Sequence, residues 1–462
     1  MTRLTALAQV SLVLLAGIIG ATAILSWHAQ IKPVDKANPE TFDPALVKRG
    51  ALLSALGDCS TCHTAPGGKP YAGGMPLPTP FGTIYATNIT PDDETGIGTW
   101  SLAAFQRAMR EGVDREGHQL YPAFPYDHFT QVSDDDNAAL FAFLKTRPAV
   151  SARAPDNDLP FPLNHRPILA GWNLLFLSKG PFQPNPAQSA EWNRGAYLVE
   201  GIGHCGACHS PRNALGAEKH AQAFAGGEAE GWHAFTINAA SKSPVPWTVD
   251  SLDAYLSAGW HGLHGVARGP MQAVSDNLSQ VPAADVHAMA VYVAALMGTP
   301  SAQQTTKGDA LVAGLPTTGT GSKPQSAGSQ TVPLPVTAAS DPGAALYANA
   351  CASCHESGRP VPFGGIKLSL STSLQAESPR NLIHLIVSGI PANPGLKGPM
   401  MPGFGAVLSD QQVAQLATYL RATFSSQPTW TGIESEVAAA RKASKLADLA
   451  GAPMQIVSTT SR

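Results

Sequence analysis

The chain has 462 residues, of which only 14% are charged, and a formal net charge of -3, so nothing in it selects nucleic acid or a strongly charged partner. Glycine and proline number 44 and 39, which suits long loops laid over a large apolar group better than a protein stabilised by surface ion pairs. The length leads us to expect about three domains.

Residues 1–31 open with Met1-Thr2-Arg3 and then run uncharged from Leu4 to Ile31, mostly apolar as far as Trp27. That is long enough to span a bilayer, which takes about 20 apolar residues. Ala21-Thr22-Ala23 also offers a small-x-small cleavage site, so the segment reads either as a retained anchor or as a removed signal peptide. A helical pattern follows over 43–56 and leads into Cys59-Ser60-Thr61-Cys62-His63. A second helix is predicted over 101–111, ending at Gly112, and a third starts near Ser133, which closes a unit over 41–150. Residues 151–189 are proline-rich yet carry Trp172, Phe176 and Phe182, so they are expected to wrap over neighbouring units.

The same order then repeats. A helix over 190–202 runs into Cys205-Gly206-Ala207-Cys208-His209, a second over 250–258 ends at Gly259, and a third starts near Pro282, giving a unit over 190–300. Arg49-Gly50-Ala51 and Arg194-Gly195-Ala196 recur at matching places. Residues 301–340 are rich in Ser, Thr, Gly, Gln and Pro and read as a flexible linker that gives the last unit some freedom. That unit, 341–426, has helices over 341–350 and 379–388, Cys351-Ala352-Ser353-Cys354-His355, and a capping box at Ser409-Asp410-Gln411-Gln412. The tail, 427–462, carries a weakly amphipathic stretch over 434–449 that reads as a plain surface helix.

All six cysteines fall in three copies of C-x-x-C-H, the pattern in which two thiols form thioethers to one porphyrin edge and the adjacent His ligates iron. A zinc site would need paired knuckles closing on one metal, and a thiol redox pair needs no third residue. The spacing therefore predicts three covalently bound haem c groups, on Cys59, Cys62, Cys205, Cys208, Cys351 and Cys354, with His63, His209 and His355 as axial ligands. The fold expected is mainly α, three class I cytochrome c-like domains in tandem behind an N-terminal hydrophobic anchor or signal helix. With the N-terminal segment retained as an anchor, the rest of the chain is expected at the cytoplasmic membrane, on its periplasmic side, where c-type haems are attached in bacteria.

The sixth ligand should come from the loop between the second and third helices. Twelve residues past the terminal glycines stand Phe124, Met271 and Met401. Met271 and Met401 sit beside proline or glycine and are the expected thioether ligands, with Met400 the adjacent competitor. Phe124 cannot bind iron. His128, four residues on, is the first candidate to replace it, Met75 in Gly73-Gly74-Met75-Pro76 the runner-up, and an open site or some other ligand the remaining reading.

Together with the three motifs, Thr79-Pro80-Phe81-Gly82-Thr83-Ile84, Thr87-Asn88-Ile89-Thr90-Pro91-Asp92, Trp192-Asn193-Arg194-Gly195-Ala196-Tyr197-Leu198 and Gly269-Pro270-Met271 give the chain a resemblance. It resembles the triple-haem cytochrome c subunit of bacterial membrane-bound dehydrogenases over nearly its whole length. The resemblance implies a catalytic dehydrogenase subunit as partner, possibly with a small iron-sulfur subunit, and ubiquinone or a terminal oxidase as acceptor. Ala123-Phe124-Pro125-Tyr126-Asp127-His128-Phe129 resembles the version found with molybdopterin and iron-sulfur dehydrogenases of aldehydes or nicotinate-like heterocycles. The other partner type is a PQQ alcohol or flavin polyol or gluconate dehydrogenase.

The function expected is an electron relay. The sequence has no dinucleotide glycine fingerprint, phosphate loop or nucleophile elbow, and His/Met ligation saturates iron and favours electron transfer over substrate chemistry. A different class of reading is a peroxidase-like enzyme using the first haem, with His128 as its acid or base.

Overall fold

A computed structural model describes residues 17, 20, 26–315, 341–359, 361, 364–392 and 398–450, without the side chains of 444–450. The apolar N-terminal stretch lies almost wholly outside them. Among the described residues no helix is long and apolar enough to cross a membrane.

The chain is mainly helical, and each C-x-x-C-H motif sits between an opening and a closing helix. In the first unit the opening helix Pro44–Leu56 crosses the closing helix Asp134–Lys145, and Leu102–Glu111 lies between them in sequence. The second unit repeats this with Ala190–Ala196, Val249–Ala258 and Ala283–Met297, and the third with Pro342–Ala350, Arg380–Ser388 and Asp410–Phe424. In the second unit the opening helix continues from Tyr197 to Ile202 as a π-helix.

The crossing explains the repeated Arg-Gly-Ala. A Cβ on Gly50 would collide with the Ala139 carbonyl, one on Gly195 with the Ala288 carbonyl, and one on Gly343 with the Gln415 carbonyl. Glycine at these points lets two helix backbones touch, as no residue with a side chain could. The preceding arginines then reach an aspartate on the closing helix: Arg49 to Asp136 at 2.6 Å and Arg194 to Asp285 at 2.7 Å. The expected helix stops hold as well, since Gly112 and Gly259 take the left-handed conformation with φ of 63° and 72°.

The first two units share a single core. Leu53, Leu56, Phe129 and Leu140 of one pack in the same cluster as Leu198, Ile202, Leu278 and Val286 of the other. The third unit has its own core, including Leu374, Ile383, Val413 and Leu416. The tail helix Ile433–Ala450 is no plain surface helix, because Val437 and Ala440 are buried in that third core and Trp430 donates to the Ala376 carbonyl at 3.0 Å.

Two expectations about connections change. The stretch expected as a linker from 301 begins as a helix, Ala302–Ala313, closed by a Ser301–Gln304 capping box, whose polar composition disguised it; 316–340 lie outside the described residues. The third unit is also fixed on the second rather than left free. Asn381 accepts from the His233 amide at 2.9 Å and donates to the His233 carbonyl at 2.8 Å, while Arg380 pairs with Glu228 and Lys242 with Glu377. The connector touches both neighbouring units: Asp158 pairs with Thr83 of the first, and Trp172 donates to the Leu215 carbonyl of the second at 3.1 Å.

Candidate functional site

One contact recurs at all three motifs. The Nδ1 of His63 lies 2.6 Å from the Thr87 carbonyl, that of His209 2.6 Å from the Phe235 carbonyl, and that of His355 2.8 Å from the Ile366 carbonyl. A carbonyl only accepts, so Nδ1 carries the proton and Nε2 keeps a free lone pair, which is how metal-ligating histidines are held. Burial lowers the pKa of His63 and His209 despite these bonds, which keeps the imidazoles neutral and fit to bind metal. The chain that supplies each carbonyl is held in place too: the Gly73 amide bonds the His63 carbonyl and the Gly226 amide the His209 carbonyl, each at 2.8 Å. In the third motif the Gly365 amide bonds the Cys354 carbonyl at 3.0 Å. The three carbonyls come from residues of no shared type, so sequence reading had no signal for them.

The thiols suit covalent attachment. None is in a disulfide, and each pair is set by a one-turn helix. Burial pushes Cys59 up to about 11, Cys205 up to about 12 and Cys351 up to about 11. Such thiols stay protonated at neutral pH, unlike a catalytic thiolate.

The first two motifs face one another through an exchange that sequence analysis missed. The residue before each first cysteine is left-handed, Asp58 with φ 51° and His204 with φ 38°. Asp58 accepts from Asn277 of the second unit, and His204 Nε2 donates to the Gly57 carbonyl of the first at 3.2 Å while its ring packs edge-on against Phe129. Each motif is thereby braced by the helical segment that closes the other unit's ligand loop. Cys208 lies close enough to Cys62 to add to the upward shift that burial gives it.

The far-side loops follow the expected register. Leu120 donates to Gly112 and Ala267 to Gly259, both at 2.7 Å, and Phe124 and Met271 each come four residues later. Met271 stands in the first turn of the helix Pro270–Leu278, and Gly269 before it lies so close to the Trp232 indole that a Cβ would collide. In the third unit Met401 exchanges two backbone bonds with Ile390, at 2.8 and 2.9 Å, and is half-buried, whereas Met400 is 44% exposed. That difference favours Met401 over its neighbour.

Of the two replacements expected for Phe124, His128 is engaged elsewhere in the structure. His128 Nδ1 donates to the Glu200 carbonyl at 2.7 Å and Nε2 meets Glu218 at 2.7 Å, so neither nitrogen is left for iron. Its ring lies against Gly206 inside the second motif rather than over the first. Burial alone would lower its pKa, but the Glu218 bond and charge, Asp127 and the Glu200 carbonyl outweigh it and raise it to about 9. His128 is thus half of a buried ion pair between two units. The Met75 carbonyl accepts from Ala86, the neighbour of Thr87, at the end of the ribbon Pro76–Thr79 with Gly82–Tyr85, so its backbone lies beside the carbonyl that holds His63. The far-side loop of the first unit instead presents aromatic rings, Phe124 packing 5.2 Å from Phe129 and 6.4 Å from Tyr126.

Comparison with known proteins agrees with this geometry. Residues 338–420 match the family model described as cytochrome c oxidase, cbb3-type, subunit III. Over 86% of its length the chain is 36% identical to the gluconate 2-dehydrogenase cytochrome c subunit of Pantoea cypripedii, covering 90% of that protein. Over 97% it is 33% identical to the fructose dehydrogenase cytochrome subunit of Gluconobacter japonicus, covering 92% of it. It is also 44% identical over 92% of its length to a nicotinate dehydrogenase subunit of Pseudomonas putida, of which it spans only 35%. Haem-binding motifs, carbonyl-held histidines and these relatives agree: the chain belongs to the family of cytochrome c subunits of dehydrogenase complexes.

Proposed function

We propose that the chain is an electron relay of three class I cytochrome c-like domains in tandem, each holding one haem c by its cysteine pair. The observation that carries the proposal is the carbonyl-held histidine repeated at all three motifs. Haem iron, once held, supplies one-electron exchange between two oxidation states. The residues of the chain do the rest. His63, His209 and His355 would offer Nε2 to the iron, and Met271 and Met401 a thioether. The exchange between Asp58, Asn277, His204 and Gly57 keeps the first two motifs together, and the pairing of Asn381 with His233 keeps the third against the second.

Electrons enter from a catalytic dehydrogenase subunit and leave to ubiquinone or a terminal oxidase, on the periplasmic side of the cytoplasmic membrane. A molybdopterin and iron-sulfur dehydrogenase of an aldehyde or heterocycle, possibly with a small iron-sulfur subunit, is the partner we favour. Its support is the nicotinate dehydrogenase relative and the Phe124 loop. A peroxidase-like role finds no support, because the His128 it needs is engaged by Glu218 beside the second motif.

The test is a pyridine haemochrome assay on the full chain, which should give three covalent haems and leave no thiol to alkylate; two haems would overturn the count. Redox titration of Met271→Ala and Met401→Ala should lower one potential each. Phe124→Met should raise the potential of the first haem, since thioether ligation does so.

A further inference from the structure

A surface helix ordinarily turns its charged side to water. The connector helix Leu169–Phe176 has no charged residue and turns apolar ones outward. Its outward stripe consists of Ile168, Gly171, Leu174 and Leu175, with the two leucines 70% and 67% exposed, and Phe161 just before it is 79% exposed. No charged residue stands between Pro167 and Ser178, Arg166 and Lys179 flank that run, and from Leu159 to Ala190 there is no acidic residue at all. The helix is held rigidly in this pose. Trp172 bonds the Leu215 carbonyl, and Asn173 accepts from Tyr126 at 2.7 Å.

A second feature meets the first on one loop. Arg166 donates to the Gln119 carbonyl at 2.7 Å, Asn173 to the Gln119 side chain at 2.8 Å, and Tyr121 to the Leu163 carbonyl at 2.9 Å. Ile31 donates to the Arg115 carbonyl at 2.9 Å, and a Cβ on Gly117 would collide with the His28 carbonyl. The loop from Arg115 to Tyr121 therefore holds both the connector and the chain emerging from the apolar N-terminal sequence. Trp27, where that sequence ends, is 74% exposed.

We propose that this end of the first unit lies on a phospholipid surface, with Phe161, Ile168, Leu174 and Leu175 in the boundary between headgroups and acyl chains. The proposal rests on the membrane placement given above and names the surface that makes the contact. Arg166 and Lys179 flank the stripe but are held by the Gln119 carbonyl and by Glu111 at 2.9 Å, so the outward apolar face, beside the chain leaving the apolar N-terminal sequence, is what suits the bilayer boundary. Trp27 stands at the polar boundary that tryptophan prefers.

The experiment places a bimane label on Leu174→Cys in the full chain, and on Val407→Cys, an equally bare apolar residue of the third unit that is 72% exposed. The protein is reconstituted into phosphatidylglycerol and phosphatidylethanolamine vesicles carrying doxyl lipid. Doxyl quenching at position 174 should exceed that at 407 by about threefold, and aqueous iodide should show the opposite order. Equal access of iodide to both labels overturns the proposal. Shielding of 174 from iodide without doxyl quenching also overturns it, by assigning the face to a protein partner. Resistance of the unlabelled chain to a high-salt wash reports membrane placement independently, so retention without quenching at 174 rejects this surface alone. As a second readout, Leu174→Glu with Leu175→Glu should keep transfer to a soluble dye and slow ubiquinone reduction about threefold. Unchanged quinone reduction counts against the proposal.

Discussion

The first two units and the third are built from the same repeat yet joined by different physics. Units one and two merge their cores, with Leu198 and Ile202 as inaccessible to water as Leu140 across the seam. The third unit keeps a separate core and, among the described residues, meets the second through contacts that include the Asn381–His233 amide pair, the Trp232–His384 stack, a bond from His384 to the Gly231 carbonyl and two ion pairs. A merged apolar seam makes two units one cooperative body, because neither can unfold without exposing the other's surface. A polar latch leaves each unit's stability its own, and holds orientation instead.

The largest expected difference between the two joints comes from emptying a motif. Cys205→Ala with Cys208→Ala should cost the protein haem at both the first and second sites, since the unit that folds around one braces the other. Cys351→Ala with Cys354→Ala should cost about one third of the haem and leave the first two signals intact, by haem-stained gel and absorbance. Loss confined to the second site in the first variant would break the comparison.

The His128–Glu218 pair comes next, because it is buried in the seam. Breaking it with Glu218→Gln should cost about 3 kcal/mol at pH 7. His128 is raised to about 9, so its contribution is complete below its ordinary value of 6.5 and fades as pH rises through 9. Glu218 is held below its ordinary range, burial opposing and the His128 bond and charge prevailing, so its contribution is lost only in acid. The gap in melting temperature between wild type and Glu218→Gln should therefore shrink between pH 7 and 10. A constant gap would remove the charge from the account.

Core truncations follow. Ile202→Ala and Ile383→Ala each remove a side chain with no exposure and should cost about 2 to 4 kcal/mol. Calorimetry should show the first lowering the transition shared by units one and two, and the second lowering a separate one. A single transition shifted by both would mean that the latch transmits more than its polar contacts suggest.

The smallest effect belongs to the latch. Arg380→Ala removes partly exposed bonds to Glu228 and Glu436 and should cost about 1 kcal/mol. Hydrogen exchange at the His233 amide should quicken while the first two units are unchanged. Slower electron passage to the third haem, without a change in its potential, would sharpen the view of the latch as an orienting device.

The sequence by itself determined the attachment chemistry, the three-unit repeat and the helix ends, because each is written in local spacing: two cysteines and a histidine in one turn, a glycine where the backbone turns left-handed. It also put Met271 and Met401 in register by counting from those glycines. Only the tertiary structure decided which carbonyls hold the histidines, since Thr87, Phe235 and Ile366 act through the backbone and share no side-chain chemistry. The same is true of His128. Its nearness to Phe124 in sequence pointed to the first site, but the fold turns its ring toward Glu200 and Glu218, which lie 72 and 90 residues away. Local spacing fixes what a residue is able to do, and long-range packing decides which of its partners is within reach.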